Sequence, residues 1–206
     1  MASSGRVFLL SPAKAGGPRY TTLLREESNI GLAVRLRQGR ATIGEVYAFI
    51  SSLYFRGKVA YVDAFCAARA TSSALVIVPG VGLVPLDTPV SIEQLRTIAS
   101  IPVDEENLTY RDALVRGARS LDRSAGPNCL YVLLGSIASG KYTGPLLEVF
   151  GERLVFPVEF VGRGDMSRGG LMLRCASEGV ELSYVPVRGA VRHGLRPPKL
   201  ERRPKL

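Results

Sequence analysis

The chain has 206 residues, 46% of them apolar, which is enough for one α/β domain with a sizeable core. A formal net charge of +9 and a pI of about 9.8 point to a polyanionic partner such as nucleic acid. No apolar run approaches the roughly 18 residues of a membrane span, Met1 to Arg6 lacks the character of a signal peptide, and the scattered Cys66, Cys129 and Cys175 suit reduced thiols of a cytoplasmic protein better than a disulfide frame or a CxxC zinc site.

Arg6 to Leu10 is a short apolar run suited to a first buried strand. The loop Ser11 to Pro18 follows it, where open α/β sheets place ligands. Lys14 in that loop is a phosphate contact or an amine nucleophile, or else a plain surface lysine. Arg19 to Gly39 is basic and partly helical. Thr42 to Phe55 has apolar residues at helical period, and Lys58 to Ala70 reads as another helix. Tyr54, Phe55 and Arg56 either stack a base or sugar or pack into the core. Ala74 to Val78 is a second buried strand that ends at Pro79 and Gly80. Ser91 caps a helix that starts at Ile92.

The acidic loop Pro102 to Asn107 precedes a helix over Tyr110 to Leu121 with basic residues on its exposed side. Glu106 is a candidate general base there, and Asn107 a candidate reader of a base edge. The alternative is an acidic helix N-terminus that suits the macrodipole. Gly126 and Pro127 break the chain before a third strand, Leu130 to Leu134.

The turn Gly135 to Tyr142 nearly spells the phosphate-cradling G-x-x-x-x-G-K-[ST]. Tyr142 stands where Ser or Thr would hold Mg²⁺, so the segment reads as a phosphate- or backbone-binding turn through Ser136, Ser139 and Lys141, or as a turn that needs glycine for its shape. A helix is expected from about Pro145 to Phe150. Leu154 to Val158 is a fourth strand, with Pro157 favouring an edge or an irregular end.

Gly162 to Gly170 reads as a second Gly-rich loop, in which Arg163 and Arg168 flank Asp165. Arginines there suit phosphates, and a carboxylate held between them stays ionised and can orient water or stabilise a cationic sugar. The alternative is an exposed hairpin with a local ion pair. Leu171 to Cys175 and Leu182 to Val187 read as short strands. From Arg188 onward seven cations face one carboxylate, which supplies six of the nine net charges. This Pro-rich tail, with Arg192 and Lys199, reads as a DNA arm or as a solvated extension. The only histidine, His193, lies in it, which excludes a His-based triad in the body.

Strands alternating with helices predict a single α/β domain over 1–187, a mixed or mostly parallel sheet flanked by helices, followed by a basic C-terminal tail over 188–206. The loops after Leu10, Val78 and Leu134 would then meet at one sheet edge.

The order of these segments resembles a family. Leu9 to Lys14 looks like the opening of the YaaA-type peroxide-stress proteins. Leu53 to Arg56 with the helix after it, Leu75 to Asp87, and Gly135 to Leu146 with Lys141 and Tyr142 are similar to the small YaaA-like domains. The resemblance covers roughly Val7 to Leu173, and segment order carries it. It departs from the family at Ser11 to Lys14, where one lysine replaces a Lys-Lys opening, and at Asp165, where relatives carry an uncharged residue.

What the resemblance implies is a YaaA-like or uracil-DNA-glycosylase-like architecture and work on DNA or on tRNA bases. Within this neighbourhood the chain looks like antiviral DNA glycosylases that remove α-glucosylated hydroxymethylcytosine from phage genomes. The expected activity is N-glycosyl hydrolysis that leaves an abasic site, with duplex DNA carrying modified bases as the partner and no metal or cofactor. Asp165, Glu106 and Asn107 would carry the chemistry. Lys14, Ser136, Ser139, Lys141, Arg163, Arg168, Arg192 and Lys199 would hold the DNA, and Ser11, Tyr54 and Tyr142 would line the base or sugar pocket. The rival expectations are a non-catalytic YaaA-like DNA-binding stress protein and a tRNA base-modifying enzyme.

Overall fold

The computed structural model describes residues 5–51, 53–66, 72–198 and Leu200. Four parallel strands form the centre of a six-stranded sheet: β1 (Arg6–Leu10), β3 (Ser72–Val78), β6 (Leu130–Leu134) and β7 (Leu154–Pro157). With β4 (Gly82–Pro85) and β8 (Tyr184–Pro186) antiparallel at the two margins, the order is β4-β3-β1-β6-β7-β8. Every residue of β1 is buried, as a strand covered on both faces requires. A separate two-stranded ladder pairs β2 (Ala41–Thr42) with β5 (Pro89–Val90).

Alternation along the strands sorts the core into two layers. Phe8, Leu10, Val76, Val78, Val132 and Leu134 face α1 (Gly17–Leu24), α2 (Gly31–Arg37), α3 (Ile43–Ser51), α4 (Leu53–Cys66), α5 (Ile92–Ser100) and α8 (Asp165–Glu178). Val7, Leu9, Ile77, Tyr131 and Leu133 face α6 (Leu108–Ala125) and α7 (Gly140–Phe150). The chain is thus one α/β unit with a mostly parallel sheet between helices.

Several elements match the sequence reading. The α5 start carries a full capping box: Gln94 N–H donates to Ser91 Oγ at 3.2 Å, and Ser91 N–H donates to Gln94 Oε1 at 2.8 Å. Others differ for physical reasons. Leu171 to Cys175 is not a strand but lies within α8, because Arg168, Met172 and Cys175 are buried at spacings of four and three, one helical face. The expected loop Gly162 to Gly170 therefore ends at Gly164. β7 is not an edge, since β8 pairs with it and Pro157 sits opposite Tyr184 at its irregular end. The hairpin strand β4 follows β3 closely, its turn made by Gly80 and Gly82 at positive φ. A Cβ on Gly82 would lie 2.6 Å from the Ala113 carbonyl oxygen of α6.

Helix α7 begins five residues earlier than Pro145. Proline inside a helix leaves the carbonyl four residues before it without its usual donor. That carbonyl belongs to Lys141, and the buried Tyr110 hydroxyl donates to it at 2.8 Å. The helix thus runs through Pro145 because α6 supplies the missing hydrogen bond.

Beyond the last strand, Arg188 pairs with Glu152 at 3.1 Å. The described part of the tail then turns back on the domain. A Cβ on Gly194 would lie 2.7 Å from Val161 Cγ1, and one on Gly162 would overlap the Leu195 carbonyl. Lys199 lies outside the described residues.

Candidate active site at the ends of β1 and β6

From β1 the chain crosses to β3 on one side, and later to β6 on the other. Such a reversal opens a crevice at the carboxyl ends of the two strands, between β1 and β6 here. Ser11 leaves β1 at that point, and its N–H donates to Leu134 O of β6 at 3.3 Å. Gly135 follows, and a Cβ there would stand 3.0 Å from Ser11 Cβ, so glycine is what lets the two strand exits close up.

The sequence reading missed the central group of this site. Lys58, on α4, is fully buried, and its Nζ donates to Ser11 Oγ at 2.6 Å and to Ser11 O at 2.8 Å. It also stands 4.0 Å from the centroid of the Tyr54 ring. Burial lowers its pKa from 10.5 to about 7; Asp165 opposes that shift and Arg168 adds to it. Near neutral pH a large share of these amines is uncharged, with two hydrogens and one lone pair to share between Ser11 Oγ and Ser11 O.

Two phenols close around the same hydroxyl. Burial pushes Tyr54 up to about 12, with Arg168 acting against the rise and Asp165 with it. Burial also raises Tyr142, and Tyr54 adds to this while the nearby Ser11 hydroxyl opposes it. Tyr47 is buried and raised in the same way, with Tyr142 as its second cause. Among the described residues the hydroxyls of Tyr47 and Tyr54 have no hydrogen-bond partner, although Arg168 and Ser11 lie near Tyr54. A buried polar group without a partner costs roughly 1–3 kcal/mol, so each such hydroxyl calls for an explanation, as do Arg6 Nε and Glu159 Oε2, which lie away from Lys58.

Helix α8 brings the charged members. Asp165 occupies its first turn with a side chain 67% exposed, and Arg168 Nη1 stands 3.5 Å from its Oδ1. Arg168 is buried and held by Phe160 O, which accepts from Nε and Nη2 at 3.2 Å each. The crossing of α8 on α4 explains how these groups reach Lys58. A Cβ on Gly57 would lie 2.5 Å from Gly169 O, and one on Gly169 would lie 2.7 Å from Leu53 O. Paired glycines let the two backbones touch, and their neighbours Lys58 and Arg168 are drawn together.

The structure thus gathers Ser11, Tyr54, Tyr142, Asp165 and Arg168 around Lys58. The remaining candidates stand elsewhere or are held locally. Lys14 is exposed in the loop after β1. Arg163 donates to Glu159 O at 3.0 Å and to Ser167 Oγ at 3.1 Å. Ser136 Oγ accepts from Ala138 N–H at 3.3 Å, and Ser139 is the exposed residue before α7. The Lys141 amine is 5.1 Å from the Tyr142 ring centroid. The Glu105 carboxylate lies against Gly140 and Gly144, so an internal anion already borders the first turns of α7. Asn107 caps α6, its Oδ1 accepting from Tyr110 N–H at 3.1 Å. Glu106 is exposed in the turn before it. Arg192 is exposed in the tail.

A groove of about 320 Å³ at the carboxyl end of β3 is lined by Val78, Pro79, Gly80, Ile98 and Ile101 among others, and by none of the residues around Lys58. Among the described residues no cluster of His, Cys, Asp and Glu could hold a metal ion, no helix is long and apolar enough to cross a membrane, and the three cysteines are free. The chain matches no protein-family model, no curated protein and no solved structure.

Proposed function

We propose that this chain is a DNA glycosylase that flips an α-glucosylated hydroxymethylcytosine out of phage DNA and hydrolyses its N-glycosyl bond. The observation that carries this reading is the meeting of an exposed carboxylate, Asp165, with a buried amine, a serine hydroxyl and two phenols at the β1–β6 crevice. The target base is out of reach inside the stack, so the nucleotide must be extruded into a pocket. Tyr54 and Tyr142, both buried beside Ser11, would form the floor of that pocket under the base or its sugar decoration, and Asp165 offers negative charge to a sugar that becomes cationic as the bond stretches.

In the reaction a water oxygen bonds to C1′, the C1′–N1 bond breaks, and its electron pair leaves with the base, which takes up a proton. The water's other proton stays on the new C1′ hydroxyl of an abasic site. The high net charge and the exposed Arg192 and Arg196 support binding to the phosphate backbone. On this reading the architecture is of the YaaA-like or uracil-DNA-glycosylase-like kind, and the setting is the bacterial cytoplasm.

The test is incubation of the purified chain with glucosylated phage DNA and with unmodified DNA. Alkali-labile breaks and the freed base, identified by mass spectrometry, are scored. Release from the modified DNA alone is expected. Binding to both DNAs without release from either would leave a DNA-binding protein in place of an enzyme, and preference for tRNA would favour a base-modifying enzyme.

A further inference from the structure

Hydrolysis needs a group to take the proton of the attacking water, and the Lys58–Ser11 pair has the geometry to do so. We infer that Ser11 Oγ takes the proton from the attacking water while passing its own to Lys58, so that Lys58 is the proton store of the site. This rests on the glycosylase reading and names the base that reading lacks.

Three observations support it. Ser11 Oγ accepts from Lys58 Nζ at 2.6 Å and its hydroxyl donates to Leu134 O at a longer 3.4 Å, so a turn of that hydroxyl towards the neutral amine brings the Ser11 proton to the Lys58 lone pair within transfer distance. Lys58 is wholly buried behind Ser11, which keeps 3% of its surface exposed, so the amine meets no substrate itself and acts through its partner. Among the described residues the groups that face the pair come from four elements and leave the amine without a carboxylate in contact: Ser11 just after β1, Tyr54 on α4, Tyr142 on α7, and Asp165 with Arg168 on α8. Asp165 pairs with Arg168 instead. An amine held among phenols, a serine and an arginine gives up its proton more readily than one in water.

The step balances. The water oxygen forms its bond to C1′ and its proton moves to Ser11 Oγ. The Ser11 proton moves to the Lys58 lone pair, which becomes an ammonium group. The glycosyl electron pair leaves with the base, which takes up a proton from solvent, and the ammonium later returns its proton to solvent through Ser11 Oγ. Lys58 is thus a positioning and proton-storing residue behind Ser11, with Asp165 left to stabilise the cationic sugar.

The test is the single-turnover rate of base release from glucosylated phage DNA across about pH 5.5 to 9, for wild type, Ser11→Ala and Lys58→Arg, with DNA binding and melting measured alongside. Wild type is expected to gain about tenfold per pH unit in the acid limb and to level off near neutrality. Ser11→Ala, which keeps the Lys58 bond to the Ser11 carbonyl, is expected to fold, to bind DNA, to fall by about 100-fold or more, and to lose the acid limb. Lys58→Arg, whose guanidinium cannot accept a proton, should behave the same. If Lys58→Arg fails to fold, Ser11→Ala decides. A Ser11→Ala enzyme with the wild-type rate and profile would overturn the relay and leave the glycosylase standing. Absence of release by wild type at every pH would instead overturn the glycosylase reading and the relay with it.

Discussion

Replacing Lys58 by Met should change how stability depends on pH. In the folded chain burial lowers the Lys58 pKa from 10.5 to about 7, so between these values the unfolded chain holds a proton that the folded chain has lost. Stability then rises with pH in that window, by up to about 1.4 kcal/mol per unit, and the contribution is flat below it, where both states are protonated. Between about pH 7.5 and 8.5 the folded amine is mostly neutral and the unfolded one almost wholly charged. The free energy of unfolding of wild type should therefore gain about 1.2 kcal/mol on that of Lys58→Met across this step.

The window stops short of the alkaline range, where the raised thiols of Cys66, Cys129 and Cys175 work in the opposite direction. The variant also leaves Ser11 O and Oγ without their donor, a pH-independent loss of roughly 1–3 kcal/mol. Urea titrations of both proteins at about pH 6, 7.5 and 8.5, followed by circular dichroism, separate the two effects. A difference between the proteins that stays constant across all three would refute the claim that Lys58 sheds its proton on folding.

Asp165→Asn keeps the shape of the side chain and removes its charge; base release should fall by at least about 100-fold while DNA binding stays within a few-fold, as gel shifts and product analysis will show. Gly57→Ala should cost about 1–3 kcal/mol in thermal unfolding, because its Cβ meets Gly169 backbone, whereas Gly140→Ala meets only the far end of Glu105 and should cost much less. Arg192→Ala with Arg196→Ala should lower the slope of log affinity against log salt by about 0.9 for each phosphate that these arginines neutralise, and an unchanged slope would remove the tail from the DNA interface.

Much of the frame was legible in the sequence. The apolar runs at Arg6, Ala74, Leu130 and Leu154 all became parallel strands, because short runs bounded by Gly, Pro and Ser have few other ways to be buried. Of the three loops expected to meet at one sheet edge, those after β1 and β6 meet at the crevice, whereas the one after β3 lines the separate groove with Ile98 and Ile101. The α8 helix was misread because Leu171 to Cys175 alone is too short to distinguish a period of two from 3.6; adding Arg168 four residues before Met172 resolves it. Lys58 was passed over as an ordinary helix lysine. Its signal was its place on the stripe Tyr54, Phe55, Lys58, Tyr61 and Val62, where every other member is apolar and buried. What sequence could not give was the α4–α8 crossing, which joins residues more than a hundred positions apart.

That crossing has a consequence for how the site can change. The amine comes from one helix and the carboxylate and guanidinium from the other, and main-chain atoms alone separate the two rods at Gly57 and Gly169. Interfaces made of side chains can adjust by exchanging rotamers; bare backbones have none to exchange. The spacing between Lys58 and α8 therefore acts as a fixed gauge. On the glycosylase reading, new substrates would have to be accommodated by the loops after β1 and β6, whose exposed residues Lys14, Ala138 and Ser139 can vary without moving either rod.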